Sequence, residues 1–228
     1  MARPGRLPAA SLQRYLLDVP HPRTPPELLR RRLADSAAVR LDGLQLFGND
    51  RPVEIEVGFG KGLFLLNESR RCPNTNFLGI EIERKYVLLT ADRLARRETA
   101  NVRLACTDAL LLLRERIAAD SVTAVHVYFP DPWWKKRHRK RRLFTWEFAE
   151  QCVRVLQPGG RLHFVSDVVE YFAETQEMLQ GLAALRSIPW PAPRDAKDEL
   201  DYLTNFERKY RKEGRPIYRG LYERQPIP

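Results

Sequence analysis

Cysteine is scarce in this chain: three among 228 residues, at Cys72, Cys106 and Cys152, with no CxxC pair. An odd and widely spaced set supplies neither a disulfide framework nor a zinc site. His21, His126, His138 and His163 lack metal-ligand spacing as well, so no metal is expected. Long apolar runs are missing, and nothing approaches the roughly 18 residues of a membrane span. MARPGRLPAA has no apolar core of the kind secretion requires. No internal repeat is present. These absences predict a soluble cytoplasmic chain, kept reduced and away from membranes, as monomer or homodimer.

What is present points to a folded, basic protein. Apolar residues make up 43% of the chain, which excludes intrinsic disorder. The length suits one α/β domain and is short for two. Lys and Arg number 39 against 29 acidic residues, a net charge of +10. That excess favours polyanionic partners, chiefly nucleic acid.

Residues 1–50 read as a Pro/Arg-rich arm, with PHPRTPPELLRRRL a loop leading into a short helix and Pro26 in its first turn. Residues 51–228 read as the main domain. PVEIEVG, NFLGIEI, NVRLACTDA, SVTAVHVYFP and RLHFVSD are strands, separated by helical segments of about ten to fifteen residues. That alternation predicts a doubly wound, mostly parallel sheet. RSIPW and PIYRGLYERQ are expected to add an antiparallel hairpin at one edge.

The first strand ends in G-x-G-x-G: Gly58, Gly60 and Gly62. Such a turn lets a backbone approach a ligand closely. Glu81 ends the second strand about 20 residues on, where a carboxylate can accept from ribose hydroxyls. Asp108 ends the third, where an adenine amino group would lie. A pyrophosphate cofactor normally sits on G-x-G-x-x-G. Here Glu56 precedes the glycines, and a carboxylate repels phosphate but suits an ammonium or sulfonium. The pattern therefore favours S-adenosylmethionine over a nicotinamide dinucleotide.

The fourth strand runs into FPDPWWKKRHRKRRL. Two prolines fix the backbone around Asp131. Trp133 and Trp134 follow, and then a run in which Lys135, Lys136, Arg137, Arg139, Lys140, Arg141 and Arg142 surround His138. Aromatic faces beside a cationic track suit an unstacked base and its phosphates. A solvated basic face or a nuclear address would have the same composition, and the tryptophans would serve equally as core or as a cofactor cap. Asp167 ends the fifth strand. Thr204, Asn205, Phe206 and Glu207 form a polar turn whose Thr–Glu spacing also fits a helix cap.

GFGKG, GIEI, TDA, FPDPWWKKRHRKRRL, VSD, TNFERKY and PIYR, in that order, resemble the tRNA (guanine-N7-)-methyltransferase family over about residues 52–224. The resemblance implies a class I methyltransferase that acts on the variable-loop guanine, position 46 of tRNA. It implies cofactor contacts from Glu56, Glu81, Asp108 and Asp131, with Asp131 catalytic. It also implies that Lys135, Asp167 and the Thr204–Glu207 turn, with Asn205 and Phe206, contact the guanosine. The arm lies outside the match, and Trp134 stands where His is frequent. The alternatives are a methyltransferase for another RNA or for protein, a non-catalytic RNA-binding subunit and, less favoured, a nicotinamide-dependent oxidoreductase.

Overall fold

In the computed structural model, residues 7–21, 23–25, 27–28, 31–32, 40–191 and 204–226 are described. The strands form where β-branched and apolar residues alternate or run together: β1 (Val53–Val57), β2 (Asn76–Glu81), β3 (Val102–Cys106), β4 (Val122–Tyr128) and β5 (Leu156–Ser166). Helices α3 (Leu63–Arg71), α4 (Arg84–Arg96) and α5 (Ala109–Arg116) connect the first four strands, and α6 (Trp146–Val155) precedes β5. Two short helices, α1 (Ala9–Gln13) and α2 (Gly43–Phe47), come before β1. After β5 the chain forms α7 (Val169–Gln180), β6 (Leu185–Ile188), α8 (Asn205–Lys212) and β7 (Tyr218–Arg224).

The seven strands lie in the order β3-β2-β1-β4-β5-β7-β6. β1 to β5 pair in parallel, whereas β7 runs antiparallel to both β5 and β6. The expected C-terminal antiparallel pair is present, with the later strand inside and the earlier one at the edge. β7 pairs with β5 over six residue pairs, so the last strand is locked into the sheet. Strand order reverses between β1 and β4, which opens a crevice at their carboxyl ends, the position where open α/β sheets bind ligands.

The strand alternation divides the core into two. Ile55, Val57, Leu78, Ile80, Val125, Val127 and Phe164 pack in one buried cluster with Phe148 of α6. Phe64, Leu65, Phe77, Leu104, Tyr128 and Val165 belong to the other. Gly79 is needed in that second layer, because a Cβ there would stand 2.5 Å from Leu65 and 2.7 Å from Phe59.

The N-terminal arm extends this layer. Tyr15 and Leu17 hydrogen bond across Leu104 of β3, and Tyr15 is fully buried. Glu27, Leu28, Arg31 and Arg32 are helical. Pro26 and the rest of that expected helix fall outside the described residues, as do Ile227 and Pro228 of the tail.

Candidate active site

Each carboxyl end of β1 to β5 delivers a polar group to the crevice edge. Glu56 points from β1 onto the α3 side of the sheet and is only 3% exposed. One oxygen, Oε2, has no hydrogen-bond partner. Burial, then the neighbouring Glu81 carboxylate, pushes its pKa well above the usual carboxylate range, while the Leu65 backbone N–H acts against this. A buried carboxylate in that condition gains most from a cation placed beside it.

Gly58, Gly60 and Gly62 all take positive φ, at 74°, 52° and 69°. Above Gly58 and Gly60 a Cβ would meet nothing within 4 Å, whereas at Gly62 it would stand 2.4 Å from Thr90 of α4. The first two glycines therefore leave open space over the turn, and the third serves helix packing. Glu81 fixes the turn: its Oε2 accepts from Gly60 N and its Oε1 from Glu83 N, both at 2.9 Å. Asp108 caps α5, its Oδ1 accepting from Leu111 N at 3.0 Å.

The loop after β4 is built differently. Phe129 and Trp133 have φ of 51° and 43°, which bulky residues adopt only under constraint. Between them Asp131 is exposed. Arg142 holds the loop from below, donating to Pro132 O at 2.8 Å, pairing with Glu174 and lying 4.8 Å over the Tyr171 ring. Arg141 covers the Trp133 ring at 5.2 Å, and His138 meets its edge. Residues 136–141 form a 3-10 helix, with Arg137, Lys140 and Arg141 exposed; the side chains of Lys136 and Arg139 lie outside the described set. Lys135 is exposed, and so is Trp134, at 61%. Trp134 is thus not a core residue.

The C-terminal elements supply the remaining groups. Asp167, after β5, pairs with Arg215. Thr204 caps α8, its Oγ1 accepting from Glu207 N at 3.0 Å. Glu207 is buried and pairs with Arg211 at 3.0 Å and Arg219 at 2.8 Å. Only the Thr204 half of a capping box forms, since the Glu207 side chain faces these arginines. Phe206 is half-exposed on a cluster with Phe129 and Tyr210, at ring separations of 5.4 to 6.0 Å. Asn205 accepts from Arg208.

A family model described as "Putative methyltransferase" matches residues 50–220. The tRNA (guanine-N(7)-)-methyltransferase of Rhodopirellula baltica is 49% identical over 186 residues, 79% of this chain and 69% of that one. This chain belongs to the tRNA (guanine-N7-)-methyltransferase family. The protein of the same name from Hydrogenovibrio crunogenus is 33% identical over 184 residues, covering 81% of this chain and 77% of that one. A solved precorrin-6y C5,15-methyltransferase from Geobacter metallireducens superposes with a TM-score of 0.53 at 13% identity, covering 91% of this chain and 95% of that chain. At that identity the likeness concerns the fold, a class I methyltransferase sheet with antiparallel strands at one end.

The methyltransferase also has a polar seam under its site that sequence reading missed. Glu54 and Glu56 of β1 share a sheet face with His126 and Tyr128 of β4 and His163 of β5. His126 bridges Glu54 Oε2 and Tyr128 Oη, each at 2.8 Å, and stacks on His163 at 4.5 Å. Burial, then His126, lowers the His163 pKa well below the usual histidine value, so that ring is neutral at pH 7. The signal was the alternation of polar residues inside two strands otherwise rich in Val and Phe, VHVY and RLHFV. The pairing of Asp167 and Glu207 with Arg215 and Arg219 left no signal, because those contacts join segments remote in sequence.

Proposed function

We infer that this methyltransferase moves the methyl group of S-adenosylmethionine to N7 of guanine in tRNA, at variable-loop position 46. The observation that carries the reading is the crevice between β1 and β4. There a buried carboxylate with one unpartnered oxygen, Glu56 Oε2, lies across from a constrained loop holding the exposed Asp131. The residues fit the cofactor. Glu56 suits its ammonium end, the open turn at Gly58 and Gly60 gives its chain room, and Glu81 and Asp108 stand where its ribose and adenine would be read.

When bound, S-adenosylmethionine supplies an electrophilic methyl on a positively charged sulfur. Guanine N7 has a lone pair and no proton, so the protein has no strong base to provide. Its work is to align and to stabilise charge. Asp131, fixed by Pro130 and Pro132, is the carboxylate near which positive charge grows on the purine. Asp167, oriented by Arg215, accepts from the N1–H and N2–H edge. Glu207 and Thr204 hold α8 so that Phe206 faces the base, and Lys135 neutralises its phosphate. Trp134, Arg137 and Arg141, all exposed, extend that contact along the RNA.

Among the described residues no helix is long and apolar enough to cross a membrane. Its three free cysteines suit the cytoplasm. The deciding experiment incubates unmodified tRNA transcript with protein and S-adenosylmethionine, then measures nucleosides by mass spectrometry. A 7-methylguanosine peak that disappears when the variable-loop guanine is replaced is the expected result. A different methylated nucleoside would keep the cofactor and overturn the substrate.

A further inference from the structure

The outer surface of α3 and α4 has a basic groove that the reaction described above does not use. Thr90 of α4 packs on Gly62 at the start of α3, so the two helices lie side by side. Arg93 donates to the Lys61 carbonyl at 2.7 Å, spanning the same gap. One turn on, Arg97 ends α4 beside the last turn of α3. A cleft of about 410 Å3 opens there, lined by Leu66, Ser69, Arg70, Arg97, Thr99 and Asn101.

Three features of this cleft suit an anion. Arg70 and Arg97 are exposed and, among the described residues, neither has a carboxylate partner. Their neighbours do: Arg71 pairs with Glu68 and Arg96 with Asp92. The usual task of an arginine at a helix C-terminus is to satisfy the last carbonyls. At the end of α3, Asn101 Nδ2 already donates to Ser69 O at 3.1 Å, and it reaches Cys72 O at 3.3 Å and Thr75 O at 2.7 Å in the loop beyond. The Arg70 guanidinium is therefore not needed for the Ser69 carbonyl and is left for an external acceptor. Finally, Ser69 is 3% exposed and its hydroxyl has no partner, which leaves an unused donor in the cleft wall. Burial, then the charge of Arg97, also lowers the proton affinity of Arg93, a like-charge conflict that a bound anion would relieve.

We propose that the cleft binds a phosphodiester of the tRNA backbone, as a second anchor separate from residues 135–142. The proposal rests on the tRNA reading above. Its fork of two guanidiniums fits a phosphate, and such contacts fix RNA in register without reading sequence. Lys61 and Arg93 continue the basic track from the cleft to the glycine turn, so a strand anchored here leads toward the active edge.

The test uses the full chain with Arg70→Glu and Arg97→Glu combined. tRNA affinity is measured between about 50 and 200 mM salt, beside cofactor affinity. Loss of one phosphate contact lowers the slope of log K against log salt by about 0.7–0.9. Affinity at low salt falls roughly tenfold, and cofactor affinity stays unchanged. The paired change to Lys, which keeps the charge, retains the slope. An unaltered slope overturns the site, as does an equal loss from Arg186→Glu on the β6 edge, where Arg186 pairs with Glu223. Nucleoside analysis of the wild-type reaction separates the two ideas. Methylation with an unaltered slope removes the cleft alone, whereas absent methylation removes the functional reading beneath it.

Discussion

The two halves of the crevice are made of opposite materials. On the β1–β3 side the groups are acidic and the turn is glycine, and Glu81 is spent on two backbone N–H bonds that shape the cradle. On the β4–β5 side aromatic and cationic groups surround an exposed acid, Asp131, and the backbone is constrained at Phe129 and Trp133. On the function proposed above, the difference follows from the ligands each half would meet. A small cation in a dry slot needs a buried carboxylate and close backbone approach. A polyanion with a planar base needs charge and flat rings at the surface. The lesson is that burial separates the two: Glu56 is hidden, while Trp134 is 61% exposed and Phe206 50%.

The largest test of that contrast is Glu56→Gln. Removing a buried charge from its cationic partner typically costs about 2–5 kcal/mol, so cofactor affinity measured by calorimetry falls by roughly 10²-fold or more. The same change stabilises the empty protein. The folded pKa of Glu56 lies above the ordinary value of 4.5, so the folded state binds more protons and stability declines as pH rises from there through the folded pKa. Denaturation across that window loses this slope in Glu56→Gln; an identical slope would mean that Glu56 is not the buried acid responsible.

Gly62→Ala comes next. It combines a φ of 69° with a Cβ placed 2.4 Å from Thr90, and about 2–4 kcal/mol of stability is lost. Gly58→Ala, with open space above it, loses only about 1–2 kcal/mol and weakens cofactor binding instead. Equal losses at both positions would erase the distinction between packing glycine and ligand glycine.

On the opposite half, Asp131→Ala lowers kcat by roughly 10²-fold, about 2.7 kcal/mol. Near-normal turnover would move the charge-stabilising role elsewhere. The smallest effect is expected from Trp134→Ala, which leaves thermal stability within about 0.5 kcal/mol and weakens tRNA binding by about 1–3 kcal/mol if the ring stacks on a base. Unchanged binding would make it a bystander on the rim.

The sequence by itself determined the β/α alternation, the glycine turn, the acids at the strand ends and the aromatic–basic loop. Each is encoded within a few residues, as a period or as a motif whose backbone demands are local. Thr204 as a helix cap was legible for the same reason. Only the tertiary structure decided what remote segments do to one another. It placed β7 inside the sheet and β6 at its edge, because β7 can hydrogen bond on both sides. It turned Arg142 inward onto Pro132 and Glu174, away from the run it belongs to. It joined Glu54, His126 and Tyr128 beneath the site and left Glu56 Oε2 without a partner. Such outcomes depend on which side chains meet across the sheet, and strand register, not local spacing, sets those meetings.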